Sequence, residues 1–157
     1  MRETSIGQLK DTYQASFGVE STDPIAIEMI ESRLGIILPN DFKEIASFYA
    51  GGIIGTFPHL AIAEDGPADN IVDQTLFLRK RIDLPVPLVV IVDFNSSLII
   101  LNCRSGSLDS KVFWVTSKEL TQICNFNSFD PIEEWANYKC FFESMLASTT
   151  LDSSGDE

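Results

Sequence analysis

Apolar residues recur along this chain at two different spacings, and the change between them divides the sequence into regions. In the first fifty residues they fall three and four positions apart, as in Ile27, Ile30 and Leu34, and again from Phe42 to Tyr49. That spacing places them on one face of a helix. After Gly52 the apolar runs are short and extended, which is typical of strands. The pattern therefore predicts a helical N-terminal third followed by a sheet.

The boundaries of the N-terminal helices are marked by residues with defined backbone preferences. A first helix is expected over 6–16. Asp23-Pro24 indicates the start of a second helix, and Gly35 can take the positive φ that ends it. Asn40 and Asp41 are alternative caps for a third helix over 41–50, and Asp41 with Glu44 has the spacing of a capping box.

The rest of the chain predicts an antiparallel meander that contains one inserted helix. Strand candidates joined by short, turn-rich loops pair with their sequence neighbours, and Leu88–Phe94 is a continuous apolar run that predicts a strand covered on both faces. Asp130-Pro131 with Glu133 indicates the capped start of a last helix. The expected strands lie at 53–57, 60–63, 88–94, 98–103 and 111–116, with helices at 69–81, 117–124 and from 131 onward.

These elements predict an α+β protein: N-terminal helices, an antiparallel β-sheet with an inserted helix, and a C-terminal helix. A chain of 157 residues is long enough to bury one sizeable core. We expect a single domain over residues 1–147, because the apolar face of the last helix extends to Phe142 and Met145. Residues 148–157 are small, polar and acidic, and are expected to form a disordered tail.

The charge of the chain narrows the classes of partner. Asp and Glu number 23 against 11 Lys and Arg, a formal net charge of −12 that is spread along the whole sequence. Such a surface repels a phosphate backbone, so direct nucleic acid binding is not expected. A basic protein partner is favoured, because complementary fields raise association rates. The simpler explanation is that a negative charge keeps the protein in solution.

The cysteines and the apolar runs indicate the compartment. Cys103, Cys124 and Cys140 are widely spaced among apolar neighbours, with no CxxC pair or Cys/His cluster, so a zinc site is not expected and a reducing compartment is. The N-terminus has no apolar core of the signal-peptide kind. The longest apolar runs are broken by Asp93 and Asn95 and are too short to cross a bilayer. We therefore expect a cytoplasmic protein that does not engage a membrane.

No catalytic motif is present in the sequence. His59 is the only histidine, and it lies between Pro58 and Leu60 without a nucleophile motif, which predicts a loop or half-buried residue. Asp69 and Asp73 are four positions apart on the inserted helix and could hold a metal or serve as an acid/base pair. Their position in a first helical turn, where carboxylates interact favourably with the helix dipole, explains them better. We predict no enzyme activity, no metal and no cofactor.

The stretch LGIILPNDFKEIASFYAGG resembles the signature of the SUKH superfamily, which includes the Smi/Knr-type cell-wall regulators and many bacterial immunity proteins. In that signature a helix ending in Leu-Gly precedes a Leu-Pro-x-Asp-Phe helix that closes on a glycine pair. Ala50 differs, because Asn is usual at that position. The matching residues are Leu34, Gly35, Leu38, Pro39, Asp41, Phe42 and Gly51-Gly52.

The resemblance implies a single SUKH-like domain and a non-enzymatic function. Bacterial members of the immunity branch bind and neutralise a polymorphic toxin, a nuclease being the favoured class, by covering its active surface. The alternative is a regulatory or scaffold module like the fungal cell-wall regulators. An enzyme would require a site assembled in space that the sequence does not display.

The residues expected to meet a basic toxin domain are chosen on charge alone. Four acidic side chains cluster at a loop and a helix start, and two more lie at strand ends as second choices. The aromatic residues Trp114 and Trp135 lie in apolar periodic runs and are expected in the core. The acidic candidates are Glu64, Asp65, Asp69 and Asp73, followed by Asp93 and Asp109.

Overall fold

The structure is a computed structural model that describes residues 4–64, 69–103, 111–124 and 131–155. These ranges contain helices and strands in the mixed order expected of an α+β protein, so the predicted fold class is confirmed. The helices are α1 (Ile6–Phe17), α2 (Pro24–Leu34), α3 (Asn40–Ala46), α4 (Ile71–Ile82), α5 (Ser117–Cys124) and α6 (Tyr138–Gly155). The strands are β1 (Gly52–Ile54), β2 (Phe57–His59), β3 (Leu88–Asp93), β4 (Ser97–Asn102), β5 (Val112–Thr116) and β6 (Glu133–Trp135).

The strands form one sheet in chain order, β1-β2-β3-β4-β5-β6, with every neighbouring pair antiparallel. This is the predicted meander, and α4 is the predicted insertion between β2 and β3. The central strands β3 and β4 are buried along almost their whole length. A strand without an exposed face reads as a continuous apolar run, as Leu88–Phe94 does.

The capped helix start predicted at Asp130-Pro131 is wrong. Glu133–Trp135 instead forms the edge strand β6, in which Trp135 lies opposite Val112 of β5. Pairing with β5 satisfies backbone groups that a free edge would leave open. The last helix begins only at Tyr138, where the side-chain oxygen of Asn137 accepts a 2.8 Å hydrogen bond from the amide of Cys140. The helix continues to Gly155, past the boundary expected at residue 147.

Helices cover both faces of the sheet. His59 of β2 lies opposite Val92 of β3 and contacts α6 through a 2.8 Å bond to Tyr138. Asp93, the next residue along β3, accepts a 3.0 Å hydrogen bond from Gln74 of α4. Because successive residues of a strand point to opposite faces, α6 and α4 lie on opposite sides of the sheet.

The third helix begins differently from the prediction. Its N-cap is Pro39, which provides no side-chain hydrogen bond. One carboxylate oxygen of Asp41 accepts from the amide of Phe42, and the other accepts from the amide of Lys139 in the first turn of α6. The helix also stops at Ala46 and not at residue 50. Asp41 therefore accepts a hydrogen bond within α3 and also joins α3 to α6.

An aromatic cluster joins the N-terminal helices to α6. The rings of Tyr13, Phe48, Tyr49 and Phe142 contact one another at centroid distances between 5.2 and 6.0 Å. All four side chains are buried. Offset and edge-on ring contacts of this kind add to the free energy gained from burial alone. The cluster makes the N-terminal third part of the same core as the sheet.

A β-bulge in β3 is stabilised from α4. The register between β3 and β4 shifts between Val90 and Val92, which frees a backbone amide from the ladder. The hydroxyl oxygen of Thr75, a fully buried residue, accepts a 3.1 Å hydrogen bond from the amide of Val90. This contact explains why α4 carries a polar residue on its buried face.

Candidate functional site

Two of the predicted acidic residues line one groove at the start of α4. The groove has a volume of about 400 Å³ and opens beside the turn between β3 and β4. We call it the acidic groove and define it by the residues that line it. They are Ile53, Pro58, His59, Leu60, Asp69, Asp93 and Asn95.

The groove forms where β2 separates from β3. Pro58 has no backbone N–H to donate, and within the described chain the pairing of these strands is restricted to His59 opposite Val92, followed by a 2.8 Å bond from the amide of Leu60 to the carbonyl of Ile91. On the Pro58 side of His59, opposite Asp93, no described pairing joins the two strands, so space opens between β2 and the turn that follows β3. The proline therefore accounts for the position of the groove.

Asp69 reaches the groove from the residue before the N-cap of α4. Its φ is +65°, a left-handed conformation that Asp adopts more readily than most residues. Its carbonyl accepts from the amide of Ala61, and the carbonyl of Ala61 accepts from the amide of Ile71, both at 3.0 Å. This short parallel bridge fixes the backbone of Asp69 at the edge of the groove, and its side chain is exposed.

Asp93 is held rigidly at the end of β3. One carboxylate oxygen accepts a 2.7 Å hydrogen bond from the amide of Asn95, and the other accepts from the side-chain amide of Gln74. Asn95 has a φ of +75°, as the turn requires, and is exposed. Aspartate favours such local bonds to the backbone two residues on. The carboxylate is thus presented in one orientation and is only partly buried.

The inner wall of the groove is a buried, neutral histidine. Nδ1 of His59 lies 2.7 Å from the carbonyl oxygen of Leu60, which can only accept, so Nδ1 carries the proton. Nε2 then accepts from the hydroxyl of Tyr138 at 2.8 Å. Burial lowers the pKa of His59 to about 4, and a backbone hydrogen bond with Leu60 opposes that shift. Because both ring nitrogens are engaged, the residue is a core histidine and not a half-buried one in a loop.

The remaining acidic candidates lie outside this groove or outside the described residues. The carboxylate of Glu64 lies 3.9 Å from the guanidinium of Arg33, which also donates to the Glu64 carbonyl at 2.6 Å. The carboxylate of Asp73 accepts a 2.8 Å hydrogen bond from the side-chain amide of Asn70, the N-cap of α4, and the backbone amide of Asp73 donates a second 2.8 Å bond to the Asn70 side-chain oxygen. Asp73 therefore serves the helix start. Asp65 and Asp109 fall in segments that the structure does not describe.

The structure separates the two tryptophans. Trp135 is buried and its indole donates a 3.0 Å bond to Ser144 of α6, as expected of a core residue. Trp114 is only partly buried and stacks on Phe94 at a centroid distance of 5.3 Å, with Phe57 at 6.1 Å. These three rings lie on the face of the sheet that carries α6, whereas Asp93 lies on the α4 face. They are therefore not part of the acidic groove.

Within residues 4–64, 69–103, 111–124 and 131–155, no group of three or more His, Cys, Asp or Glu side chains could hold a metal ion. Cys103 and Cys140 are free thiols, and burial raises the pKa of Cys103 to about 12, so that it stays protonated. No helix among the described residues is long and apolar enough to cross a membrane.

A comparison with family models decides which family has this order of elements and the signature from Leu34 to Gly52. The family model described as SMI1-KNR4 cell-wall, SUKH_5, matches residues 3–143. The chain belongs to the SUKH family. The match covers α1 to α5, the whole sheet and the first part of α6. No curated protein matches the SUKH chain. SUKH proteins are commonly immunity proteins, and the family is not a known enzyme family.

The sequence located the charges of this SUKH domain but missed their apolar neighbours. Ile53, a residue that is 70% exposed, and Pro58 lie beside the two carboxylates. Asn95 completes the rim. Two signals in the sequence point to these residues: the turn Asn95-Ser96-Ser97 indicates a loop, and a proline inside a short strand indicates an interrupted ladder. Neither signal shows that the turn and the proline lie next to Asp69.

Proposed function

We propose that this SUKH protein is an immunity protein that binds a cognate toxin, a nuclease being the favoured class, in the cytoplasm of the producing cell. It neutralises the toxin by covering the active surface and performs no chemistry of its own. The single observation that carries the proposal is the acidic groove, in which the carboxylates of Asp69 and Asp93 lie next to the apolar side chains of Ile53 and Pro58.

The charge distribution supports a basic partner. A nuclease is basic where it meets nucleic acid, and a chain with a net charge of −12 is attracted to that surface over several ångströms before contact. Complementary charges raise the association rate and discourage wrong partners. Binding at that surface would exclude the phosphate backbone that the toxin needs.

The geometry of the groove supports a specific contact more than diffuse attraction. Asp93 is held by Gln74 and Asn95, so little side-chain entropy is lost when it pairs with a Lys or Arg. Ile53 and Pro58 offer an apolar surface beside it, against which the methylene groups of the same basic side chain can pack. Glu64, Asp65, Asp73 and Asp109 remain candidates on charge.

The first experiment is co-expression with the toxin domain encoded beside this gene. We expect the protein to restore growth and to co-purify with the domain as a complex that weakens as salt is raised. Killing that is unchanged in the presence of the protein, together with no co-purification, would rule out immunity against that toxin.

The contribution of the groove is tested by removing its two charges. Asp69→Asn with Asp93→Asn keeps a side chain that tolerates the left-handed φ at 69 and an acceptor for Asn95 at 93. We expect the dissociation constant to rise on the order of tenfold, since exposed ion pairs contribute up to about 1 kcal/mol each. The control, Asp11→Asn with Glu28→Gln, removes the same charge from exposed positions on α1 and α2. Equal losses in both double variants would indicate a net-charge effect without a defined site.

The alternative is a regulatory or scaffold module, which the cell-wall description of the family model favours. Such a module would bind a cellular protein and leave toxin activity unchanged. The same co-expression experiment separates the two functions, because rescue of growth requires inhibition of the toxin and not binding alone.

A further inference from the structure

A second groove runs along α4 on the side facing α5. It has a volume of about 360 Å³ and is walled by apolar side chains from α4, β4 and α5. Asp93 and Asn95 line this groove as well as the acidic groove, so the two grooves are adjacent. We call it the α4–α5 groove. Its apolar lining is Phe77, Leu78, Ile82, Leu98 and Leu120.

The central side chain of the α4–α5 groove is not used by the core. Phe77 is 52% exposed, whereas Val72, Thr75 and Leu78 of the same helix are buried. The guanidinium of Arg81 lies over the Phe77 ring, 5.8 Å from its centroid. A single exposed Phe is ordinary on a protein surface, but one that stands in a concave apolar site beside an arginine has the composition of a binding hot spot.

Charges of opposite sign stand at the two ends of the groove. Gln74, which holds Asp93, Phe77 and Arg81 lie three and four positions apart and so share one face of α4. From Gln74 to Arg81 the helix rises about 10 Å, at 1.5 Å per residue. Arg81 forms no ion pair with any residue that the structure describes, so its charge is available to a partner.

We infer that the α4–α5 groove receives a segment of the toxin about two helical turns long, which presents a Lys or Arg, a large apolar side chain and an Asp or Glu in that order. The basic residue pairs with Asp93, the apolar residue packs on Phe77, and the acidic residue meets Arg81. This inference rests on the proposed function and adds a specific anchor to it. The order of charges in the segment follows from the positions of Asp93 and Arg81 in the groove, and the shared Asp93 places the segment next to the contact at the acidic groove.

The test uses the purified toxin domain encoded beside this gene, in a catalytically inactive form, and measures its dissociation constant. We expect Phe77→Ala to raise the constant at least tenfold, because truncated aromatic anchors dominate interface affinity. The matched control is Ile25→Ala, which removes an apolar side chain that is 66% exposed on α2, and it should change the constant less than threefold. Thermal unfolding of both variants verifies that each is folded.

Two further measurements test the anchor without relying on truncation. Arg81→Glu should weaken binding, and more strongly than Lys10→Glu on α1, which changes the charge equally. Hydroxyl-radical oxidation of Phe77 in the unmodified protein should slow several-fold in the complex, while that of Ile25 should not change.

The outcomes separate this inference from the proposed function. If the toxin binds and Asp69→Asn with Asp93→Asn weakens binding, but Phe77→Ala behaves like Ile25→Ala and Phe77 stays accessible in the complex, the α4–α5 groove is not the anchor and the immunity function stands. If the unmodified protein neither binds nor inhibits the toxin, both fail together.

Discussion

The hydroxyl of Tyr138 donates a 2.8 Å hydrogen bond to Nε2 of His59, and both side chains are buried. This bond joins the first turn of α6 to β2 on the face of the sheet opposite α4. It also fixes the inner wall of the acidic groove, so the stability of the pair bears directly on the shape of the candidate site.

The buried histidine predicts a loss of stability in mild acid. The unfolded chain binds a proton at His59 below its ordinary pKa of 6.5, whereas the folded protein does so only near 4. The unfolded state therefore carries more protons between these values, so the free energy of unfolding falls as pH drops from about 6.5 to 4. The total is about 3 kcal/mol, at about 1.4 kcal/mol per pKa unit.

Urea unfolding of the wild type and of His59→Gln across this range measures the effect. Glutamine can still accept from Tyr138 but does not titrate, and the carboxylates contribute equally to both proteins. We expect the difference in unfolding free energy to change with pH in favour of the variant as the solution becomes acidic. Parallel pH profiles would show that His59 titrates normally.

A further prediction concerns the close packing of the backbone around Gly51. Gly51 has a φ of +93°, and a Cβ there would lie 2.5 Å from the carbonyl oxygen of Leu60 and 2.7 Å from Cα of Ala61. Both neighbours are backbone atoms and cannot rotate away. We expect Gly51→Ala to cost on the order of 3 kcal/mol, from backbone strain and overpacking together.

Gly35 provides the matched control. It also has a positive φ, +67°, but a Cβ there would meet no atom within 4 Å. Gly35→Ala should cost about 1–2 kcal/mol, from the left-handed φ alone. The denaturant midpoints of the two variants measure both losses of stability. Equal losses would mean that the positive φ alone, without the close backbone contacts, explains the glycine at position 51.

The bulge in β3 predicts that a methyl group cannot replace the hydroxyl of Thr75. Thr75→Val keeps the shape of the side chain but leaves the buried amide of Val90 without its acceptor. An unsatisfied buried donor costs about 1–3 kcal/mol. Thr75→Ser retains the acceptor and should lose only about 1 kcal/mol for the missing methyl group. A valine variant as stable as wild type in urea would show that the amide finds another partner.

Arg79 joins the end of α2 to the segment between α4 and β3, so we predict that its replacement lowers the melting temperature. Its terminal nitrogen donates to the carbonyls of Leu34, at 2.7 Å, and Val86, at 2.9 Å, while its Nε is buried without a partner in the described chain. Burial lowers the pKa of the guanidinium from its usual value. We expect Arg79→Met to cost about 2 kcal/mol and lower the melting temperature by about 4–8 °C. Arg79→Lys, which keeps one charged donor, should lose less.

The helices that begin and end at strong local signals were predictable from the sequence. Asp23 caps α2 with a 2.9 Å bond to the amide of Ile25, Pro24 occupies its first turn, and Gly35 closes it in the left-handed conformation. Each signal acts within a few residues and does not depend on the rest of the fold. For the same reason the apolar runs that became β3 and β4 were identified with small errors at their ends.

The edge strand and the site depended on contacts distant in sequence. Glu133 and Glu134 follow a proline and a potential cap, which favour a helix, and only the open edge of β5 makes them a strand. Asp69 and Asp93 were each predicted from charge. Their meeting in one groove depends on Pro58, which interrupts the β2–β3 ladder, and no pattern along the chain encodes that juxtaposition.

The weak attachment of β2 to β3 also divides the sheet into two parts that differ in their stability against local opening. Strands β3 to β6 form a continuous ladder, whereas among the described residues the β1–β2 hairpin pairs with β3 only at His59 opposite Val92, next to the bond from Leu60 to Ile91. The hairpin also contacts α6 through the bond between His59 and Tyr138. Such a hairpin can open locally while the other four strands stay closed, so its amides should exchange with solvent faster. A partner that contacts both Ile53 and Asp93 would hold the two parts together. Its binding would therefore slow the hydrogen exchange of the backbone amides in the hairpin.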